Sequence, residues 1–309
     1  MQAALAAARP WEGATSPNPP VGCALLDRSG NVIAAAGHHG AGQLHAEALA
    51  IQQARAAGKS DLIHTVVVTL EPCNHHGRTG PCTEAILATP AEHVVIGIPD
   101  PNPKVAGGGA GHLRRAGLLV DFLTGDTAQV ERLIAPFKKR VTQGLPFVTV
   151  KQAINRDGTM LPPQGQKTFT SQGSPMIAHA LRRRADAIIT GAGTVLADDP
   201  HFTVRLLPDH IGKRRKLIVF DRRKRVPAAY FEAAQQRGFD ASVAVDLETA
   251  LRDVAAAGGL EVLVEAGPQL TNHVLISPFW DEHVTIAQTD AEDTITITAN
   301  GGAHVLRHH

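Results

Sequence analysis

"HTVVVTLEPCNHHGRTGPCTEAILAT", residues 64–89, holds three local signals in one run. It opens with β-branched residues ("HTVVVTL", 64–70), the filling expected of a parallel strand buried on both faces. It closes with "CTEAILAT" (82–89), which fits a short helix. Strand, loop and helix in that order are the repeating step of an α/β layer. The loop between them carries Pro72 and Cys73 and ends at Cys82, so two of the chain's three cysteines are separated by eight residues. A disulfide, a metal and coincidence are the three explanations.

The same alternation continues on either side. "VGCALL" (21–26) and "NVIAAAG" (31–37) read as strands around an "RSGN" turn. "HAEALAIQQARAAG" (45–58) has helical spacing, with Ala48, Leu49, Ile51 and Ala54 on its apolar side and Gly58 at its close. "HVVIGI" (93–98) is a second buried parallel strand. A Gly-rich turn, "AGGG" (106–109), leads to a helix in "AGHLRRAG" and a strand in "LLVDFL". "DTAQVERLIAPFKKRVTQGLP" (126–146) reads as a helix and then a Gly/Pro break. The domain boundary therefore falls near residue 145, giving a first domain over 1–145 and a second over 146–309. The second starts over with "FVTVKQAI" and continues with strands in "DAIIT", "KLIVF", "SVAV" and "EVLVEAG". Helices are expected near 173–184 and 247–257. Both halves are of the α/β class.

Composition removes several function classes. The formal net charge is +1, so no overall basic field argues for nucleic acid, and only 4% of residues are aromatic, too few for a base-stacking surface. The Ala-rich start "MQAALAAARP" lacks a basic n-region and a cleavage pattern, and reads as a first helix. No apolar run is long enough to cross a membrane. The expected location is the cytoplasm, where a reducing environment disfavours a structural disulfide. The basic stretch "GKRRKLIVFDRRKRVP" (212–227) reads as solvated loops flanking a buried strand.

A metal site is the stronger reading of the cysteines. Zinc that activates water needs three protein ligands and an open position. Zinc deaminases take them from one His and two Cys, with a nearby Glu that shuttles protons without binding the metal. Here "HAE" supplies His45 and Glu47 at a helix start, while Cys73 and Cys82 lie on a loop and at the next helix start. A helix N-terminus favours thiolate, the metal-binding form. Taken alone, "HxE" marks an ordinary helix start, and two cysteines are usually unconnected; their order along the chain joins them. The general deaminase signature has two residues between its cysteines, so the spacing here is a longer form. Cys23, mid-strand in "VGCALL", reads as a small buried hydrophobe.

The longer form resembles the riboflavin-biosynthesis deaminase/reductase family. The likeness is carried by "SPNPPVGCAL" (16–25), "GHHGAGQLHAEALA" (37–50), "TLEPCNHHGRTGPC" (69–82) and "DPNPKVAGGG" (100–109). In the second half it is carried by "TVLADDPHFTVR" (194–205) and "VEAGPQLTNHVL" (264–275). It implies a cytidine-deaminase-like α/β/α domain followed by a dihydrofolate-reductase-like α/β domain. The implied chemistry is hydrolytic removal of an amino group from a 2,5-diamino-pyrimidinone ribosyl phosphate, then reduction of the ribose to ribityl by NADPH. The resemblance implies one Zn2+ per chain on His45, Cys73 and Cys82, with Glu47 as proton carrier. Asn18, His38, His75, His76, Arg78, Thr79, Asp100 and Asn102 would surround the first substrate. For the reductase it implies Arg182, Phe202, Arg205 and Glu265 at the substrate, the two arginines on its phosphate. Ala153, Thr168, Thr194, Asp198, Gly267 and Pro268 would lie at NADPH. The partner it implies is a small-molecule pyrimidine ribosyl phosphate, neither nucleic acid nor membrane, with association as a homodimer through the reductase half.

Plainer readings stand beside these. Asn18 and Asn102 both lie in "PNP", a turn sequence in any protein; His38 or His39 could cap a strand, and Asp100 could close a turn. Two departures concern the reductase. The family reads close to "SGESQWITS" where this chain has "QGQKTFTS" (164–171), placing Gln166 and Thr168 at a serine and a tryptophan position. After "FWDEHVTIAQ" the chain is also short, although "TITIT" still alternates as a strand. The alternatives are a deaminase whose second domain is a scaffold, a structural zinc site in a binding module with His75 or His76 as fourth ligand, and a nucleic-acid deaminase.

Overall fold

The computed structural model describes residues 1–75, 80–103, 108–160, 174–289 and 293–308, the last seven of these by backbone only. The chain divides into two compact units, Met1–Gly144 and Leu145–His309. The break falls where α5 (Ala128–Gln143) ends on Gly144, whose left-handed φ of 67° returns its N–H to the Arg140 carbonyl. Glycine closes a helix this way because a Cβ would be strained there.

In the first unit, α1 (Gln2–Ala8) precedes β1 (Gly22–Leu26) and β2 (Val32–Gly37). Then follow α2 (Ala46–Ala56), β3 (Thr65–Leu70), α3 (Cys82–Leu87), β4 (His93–Ile98), α4 (Gly108–Arg115) and β5 (Leu119–Phe122). Among the described residues these strands form one sheet in the order β2-β1-β3-β4-β5. β1 runs antiparallel to β2 and β3, while β3, β4 and β5 are parallel. The period of two along each strand sorts the side chains. Cys23, Leu25, Val66, Val68, Val94 and Ile96 bury one face together with Ala50 and Ile51 of α2, Ile86 of α3 and Leu113 of α4. Ala24 and Val67 bury the other face beneath Ala4 of α1.

Two glycines set the approach of α1 to the sheet. A Cβ on Gly22 would stand 1.9 Å from the Ala4 carbonyl oxygen, and one on Gly37 would stand 2.2 Å from that of Ala7. Gly109, in the first turn of α4, is equally closed: its Cβ would lie 2.0 Å from the Pro72 oxygen. The expectation of a turn across 106–109 is therefore corrected for Gly108 and Gly109, which are helical. Their missing side chains serve close packing instead of a bend.

The second unit comprises β6 (Phe147–Ile154), α6 (Ser174–Arg184), β7 (Ala187–Gly191), α7 (Ala192–Asp198), β8 (Arg215–Phe220), α8 (Ala228–Gln236) and β9 (Phe239–Ala244). After these come α9 (Leu247–Ala256), β10 (Glu261–Glu265), α10 (Pro268–Leu275), β11 (Glu282–Ala287), β12 (Thr294–Ala299) and β13 (Gly302–His308). Their described residues build one sheet, β13-β12-β11-β6-β10-β7-β8-β9. It is parallel from β11 to β9 and antiparallel at β12 and β13. Both faces are covered. Val148, Val150, Ile189, Val262 and Val264 pack with Leu251 and Val254 of α9, and Ile188, Leu217, Val219 and Leu263 pack with Val195 of α7 and Tyr230 and Ala234 of α8.

The basic stretch is solvated only in part. Arg222 to Arg225 are exposed, but the side chains of Lys213 and Arg215 are withdrawn from solvent, with Lys213 Nζ 3.2 Å from Asp186 Oδ1 and the Arg215 guanidinium 2.6 Å from Asp209 Oδ1. Among the described residues no helix is long and apolar enough to cross a membrane. Replacing Gly22 by alanine is expected to destabilise the first unit by about 1–3 kcal/mol, read as a lower urea midpoint for that unit. Gly108→Ala, whose new methyl meets open space, is expected to leave the midpoint unchanged or slightly raised.

Candidate functional site

His45 is the N-cap of α2, with extended φ and ψ of −69° and 161° that turn it off the helix axis. Cys73 lies on the loop after β3, and Cys82 is the first residue of α3. The fold thus brings a helix start, a loop and a second helix start to one point. His45 Nδ1 stands 3.3 Å from Cys82 Sγ and 3.6 Å from Cys73 Sγ, and all three ligand atoms lie within 4.8 Å of one another. A tetrahedral zinc with bonds of about 2.0 Å to nitrogen and 2.3 Å to sulfur requires an N···S edge of about 3.5 Å. The donor set and its spacing fit the metal. All three cysteines are free thiols, which removes the disulfide explanation, and Cys23 is buried within β1 as expected.

The two thiols are electrostatically unequal. Cys73 is held well below an ordinary thiol by a hydrogen bond from the Cys82 thiol and by His45. The backbone N–H of Cys82 also donates to Cys73 Sγ at 3.4 Å. Cys82 is raised by that same shared hydrogen bond and by burial, so it keeps its proton until a cation displaces it. Glu47, in the first turn of α2, is 3% exposed and hydrogen-bonded to Cys82. Burial raises its carboxyl above the ordinary range. A carboxyl so placed exchanges protons more readily near neutral pH than an exposed one does.

Around this centre the structure gathers several of the other expected residues. His38 Nδ1 donates to the Leu44 carbonyl at 3.0 Å, leaving Nε2 to accept from Asn18 Nδ2 at 3.1 Å. The His38 ring meets His45 edge-on, with centroids 5.2 Å apart. His39 instead stacks on Trp11 at 3.7 Å. Asp100 follows β4 and accepts the Asn102 N–H on Oδ1 at 2.8 Å. Burial raises its carboxyl, and exposed His75 is close enough to oppose that shift. His76, Arg78 and Thr79 lie outside the described residues. Sequence reasoning missed Glu71, which is 4% exposed and accepts backbone N–H groups from Asp100 and Ala110. The signal lies in "EPC", where a carboxylate two residues before Cys73 is placed to tie that loop to its neighbours.

The second unit assembles a different group. The parallel register pairs Glu265 with Lys151, and Lys151 Nζ donates to Glu265 Oε1 at 3.0 Å. Arg182, near the end of α6, lays its fork on the same carboxylate, Nε to Oε2 and a terminal nitrogen to Oε1, both at 2.8 Å. Its other terminal nitrogen donates to the Thr203 carbonyl at 3.3 Å, and its guanidinium carbon lies 5.7 Å from the centre of the Phe202 ring. Burial alone would raise Glu265, but Lys151 and Arg182 outweigh it and hold the carboxyl at about 2. Arg205 is exposed, and its backbone N–H donates to His179 Nδ1 at 2.8 Å.

Gly267 is the N-cap of α10 with Pro268 in the first turn, and its N–H donates to Thr194 Oγ1 at 2.8 Å. Thr194 thereby ties α7 to the start of α10. Asp198 ends α7 exposed, and Ala153 sits half-buried in β6 opposite Ile286. Gln166 and Thr168 lie outside the described residues. The charged trio therefore lies at the carboxyl end of β10, where ligands of open parallel sheets bind.

Comparison with known proteins accords with both halves. Residues 1–98 match the cytidine and deoxycytidylate deaminase zinc-binding region, and residues 146–287 match the RibD C-terminal domain. Riboflavin biosynthesis protein RibD of Corynebacterium ammoniagenes is 38% identical over 268 residues, 85% of this chain and 77% of that protein. The RibD of Aquifex aeolicus is 40% identical over 228 residues, 74% of this chain but only 62% of that protein. Acinetobacter baumannii RibD superposes with a TM-score of 0.80 at 32% identity, covering 93% of this chain and 85% of the other. A Thermotoga maritima diaminohydroxyphosphoribosylaminopyrimidine deaminase/5-amino-6-(5-phosphoribosylamino)uracil reductase gives 0.79 at 30% identity, covering 94% and 86%. The cytidine-deaminase-like first domain and the α/β reductase domain after it, both expected from the sequence, are matched by these relatives. The chain belongs to the RibD family of riboflavin-biosynthesis proteins and carries that family's zinc-binding deaminase domain and its reductase domain.

Proposed function

We propose that this chain catalyses two successive steps of riboflavin biosynthesis. The first unit deaminates 2,5-diamino-6-(5-phosphoribosylamino)pyrimidin-4(3H)-one, and the second reduces the product's ribosyl group to ribityl with NADPH. The observation that carries the reading is the tetrahedral spacing of His45, Cys73 and Cys82 with buried Glu47 beside them. One zinc per chain fits that donor set and, when bound, supplies the Lewis acidity that lets water ionise near neutral pH.

Glu47 takes a proton from the attacking water and delivers it to the ring nitrogen next to C2; it then carries the proton of the new C2 hydroxyl to the amino group, so that the C–N bond breaks, ammonia leaves and a C2 carbonyl remains. Asn18 is held by His38, and His38 by the Leu44 carbonyl beside the first ligand, so the pyrimidine and the metal are positioned by one connected strip of chain. Asp100, Asn102 and His75 border the ribosyl phosphate.

In the second unit, Glu265 stays ionised between two cations and accepts hydrogen bonds from ribose hydroxyls. NADPH, held at Thr194, Gly267 and Pro268, would supply the hydride that reduces the sugar C1′, with the ring oxygen leaving as a hydroxyl after taking up a proton. Arg205, exposed beside the trio, takes the phosphate together with the Arg182 terminal N–H groups not used on Glu265 and Thr203. Thr194, Gly267 and Pro268 form the cofactor side at the start of α10. We extend the reading to a cytoplasmic enzyme that forms a homodimer through the second unit, which sedimentation at graded protein concentration tests.

The experiment follows ammonia and the absorbance of NADPH in one tube. Ammonia followed by NADPH loss supports both steps; ammonia alone leaves a deaminase with a scaffold domain. Glu47→Gln is expected to keep its zinc and to lose ammonia release by roughly 10²–10⁴-fold, while NADPH consumption on the deaminated product is unchanged. Glu265→Gln leaves Lys151 and Arg182 facing a neutral amide, and should destabilise the second unit by about 3–5 kcal/mol. Because the folded carboxyl is depressed, its stabilisation is complete above the ordinary glutamate value of about 4.3. It is lost as pH falls from there toward about 2. Acid unfolding of the variant's second unit should therefore show a shallower slope in that window than the parent's.

A further inference from the structure

We propose that Glu71 is a positioning residue of the deaminase site, setting where the Asp100–Asn102 loop stands relative to the metal-ligand loop. The inference rests on the deaminase reading above and adds to it a residue that touches neither metal nor substrate.

Glu71 sits two residues before Cys73, and its backbone N–H donates to the Ile98 carbonyl at the end of β4 at 3.0 Å. Its side chain turns inward and divides its two oxygens. Oε2 accepts the N–H of Asp100 at 3.2 Å, and Oε1 accepts the N–H of Ala110 at 2.9 Å. The second of these is one of the helix-start donors that α4 cannot satisfy internally. A single carboxylate thus joins three segments: the loop that carries Cys73, the loop that carries Asp100 and Asn102, and the first turn of α4.

A carboxylate this buried is costly unless its oxygens are occupied. The two backbone donors occupy them, and in doing so they fix distances between segments that share no regular secondary structure at that point.

The same joint is closed from its other side. Asn74, next to Cys73, donates from Nδ2 to the Gly108 carbonyl at 3.4 Å and accepts from Thr83 Oγ1 at 2.8 Å. Gly109 lies against Pro72 with no space for a methyl group. Thr83 follows the ligand Cys82, so α3, α4 and the loop between β3 and α3 are locked together around Pro72 and Cys73. Within this joint, the Asp100 N–H bond to Glu71 reaches the loop proposed to border the substrate. Asp100 then orders Asn102 through its own carboxylate. Displacement of Asp100 would move both residues without moving the three metal ligands.

Glutamine at position 71 keeps one acceptor and puts an NH2 group where the other stood, so one backbone N–H would face a donor. The test measures Glu71→Gln and, separately, Gly109→Ala, which pushes on the same joint with Glu71 intact. Three readouts are needed: zinc per chain, KM and kcat for ammonia release from the diaminopyrimidinone ribosyl phosphate, and hydrogen exchange at the Asp100 and Ala110 amides. For Glu71→Gln we expect unchanged zinc, KM raised about 10–100-fold, a much smaller change in kcat, and faster exchange at one or both amides. Gly109→Ala should show the same split between KM and kcat. A folded Glu71→Gln protein with the parent's KM and exchange rates overturns the proposal. So does loss of zinc without a KM effect, which would make Glu71 a support of the ligands, or a Gly109→Ala protein whose KM does not move. If the parent releases no ammonia, the deaminase reading itself fails and takes the KM claim with it, while amide exchange still decides whether Glu71 holds the Asp100 loop.

Discussion

The first unit depends on keeping three donor atoms from three separate segments within one tetrahedral edge of each other. His45 lies on one segment 28 residues before Cys73, and Cys82 on another nine residues after it. Their spacing comes from rigid neighbours. α2 is seated on the sheet by Ala46, Ala50 and Ala54, small side chains that let its axis come close to β1 and β2. β3 is a central strand, paired on both edges, and delivers the Cys73 loop from a fixed point. Proline before Cys73 and Cys82 limits the freedom of both ligand-bearing backbones. The apolar core and the glycine contacts beneath α1 are in this sense part of the metal site, because a shift of a few tenths of an ångström in any of these elements lengthens a ligand edge.

Much of this organisation was legible in the chain. Short β-branched runs marked β3, β4, β6, β8 and β10, since strands buried on both faces have no reason to alternate. "HxE" and "PC" with a second cysteine marked the three side chains that the fold gathers, because metal chemistry tolerates few other residue types. What could not be read depended on partners distant in sequence or on packing. Lys213 and Arg215 read as solvated charges, yet their side chains are withdrawn from solvent, because Asp186 and Asp209 meet them in the fold. Arg182 is committed to Glu265, 83 residues away, and nothing local to either residue announces it. α7 and α8 went unread for a different reason. Each is a short helix whose sequence, "AGTVLAD" or "AAYFEAAQQ", carries no polar side-chain cap, and each is stabilised by the sheet face it covers.

The glycines of "AGGG" show how one residue type supports two opposite readings. A glycine is the usual sign of a turn because it reaches left-handed backbone angles. Gly144 does this at the end of α5. Gly109 does not: it is helical, and it is glycine because α4 must touch Pro72. Sequence gives no way to tell conformational need from steric need without knowing what lies opposite. The distinction matters functionally, since the second kind of glycine sits at the joint between the metal loop and the Asp100 loop.

The two units also solve opposite problems with the same side chain. Glu47 is buried and Glu265 largely so, both at the working end of an α/β sheet. Burial raises Glu47, whose thiol and imidazole neighbours do not bring it below the ordinary carboxylate range. It is suited to picking up a proton and passing it on. Around Glu265 the same desolvation is overcome by a lysine and a bidentate arginine, which leave it ionised down to about pH 2. It is suited to accepting hydrogen bonds and to no proton transfer near neutrality. Residue type and burial alone do not separate the two roles; the sign of the charges placed within hydrogen-bond reach does. That sign follows from topology, because the parallel register of β6 and β10 puts Lys151 beside Glu265, whereas His45, Cys73 and Cys82 are the neighbours that act on Glu47.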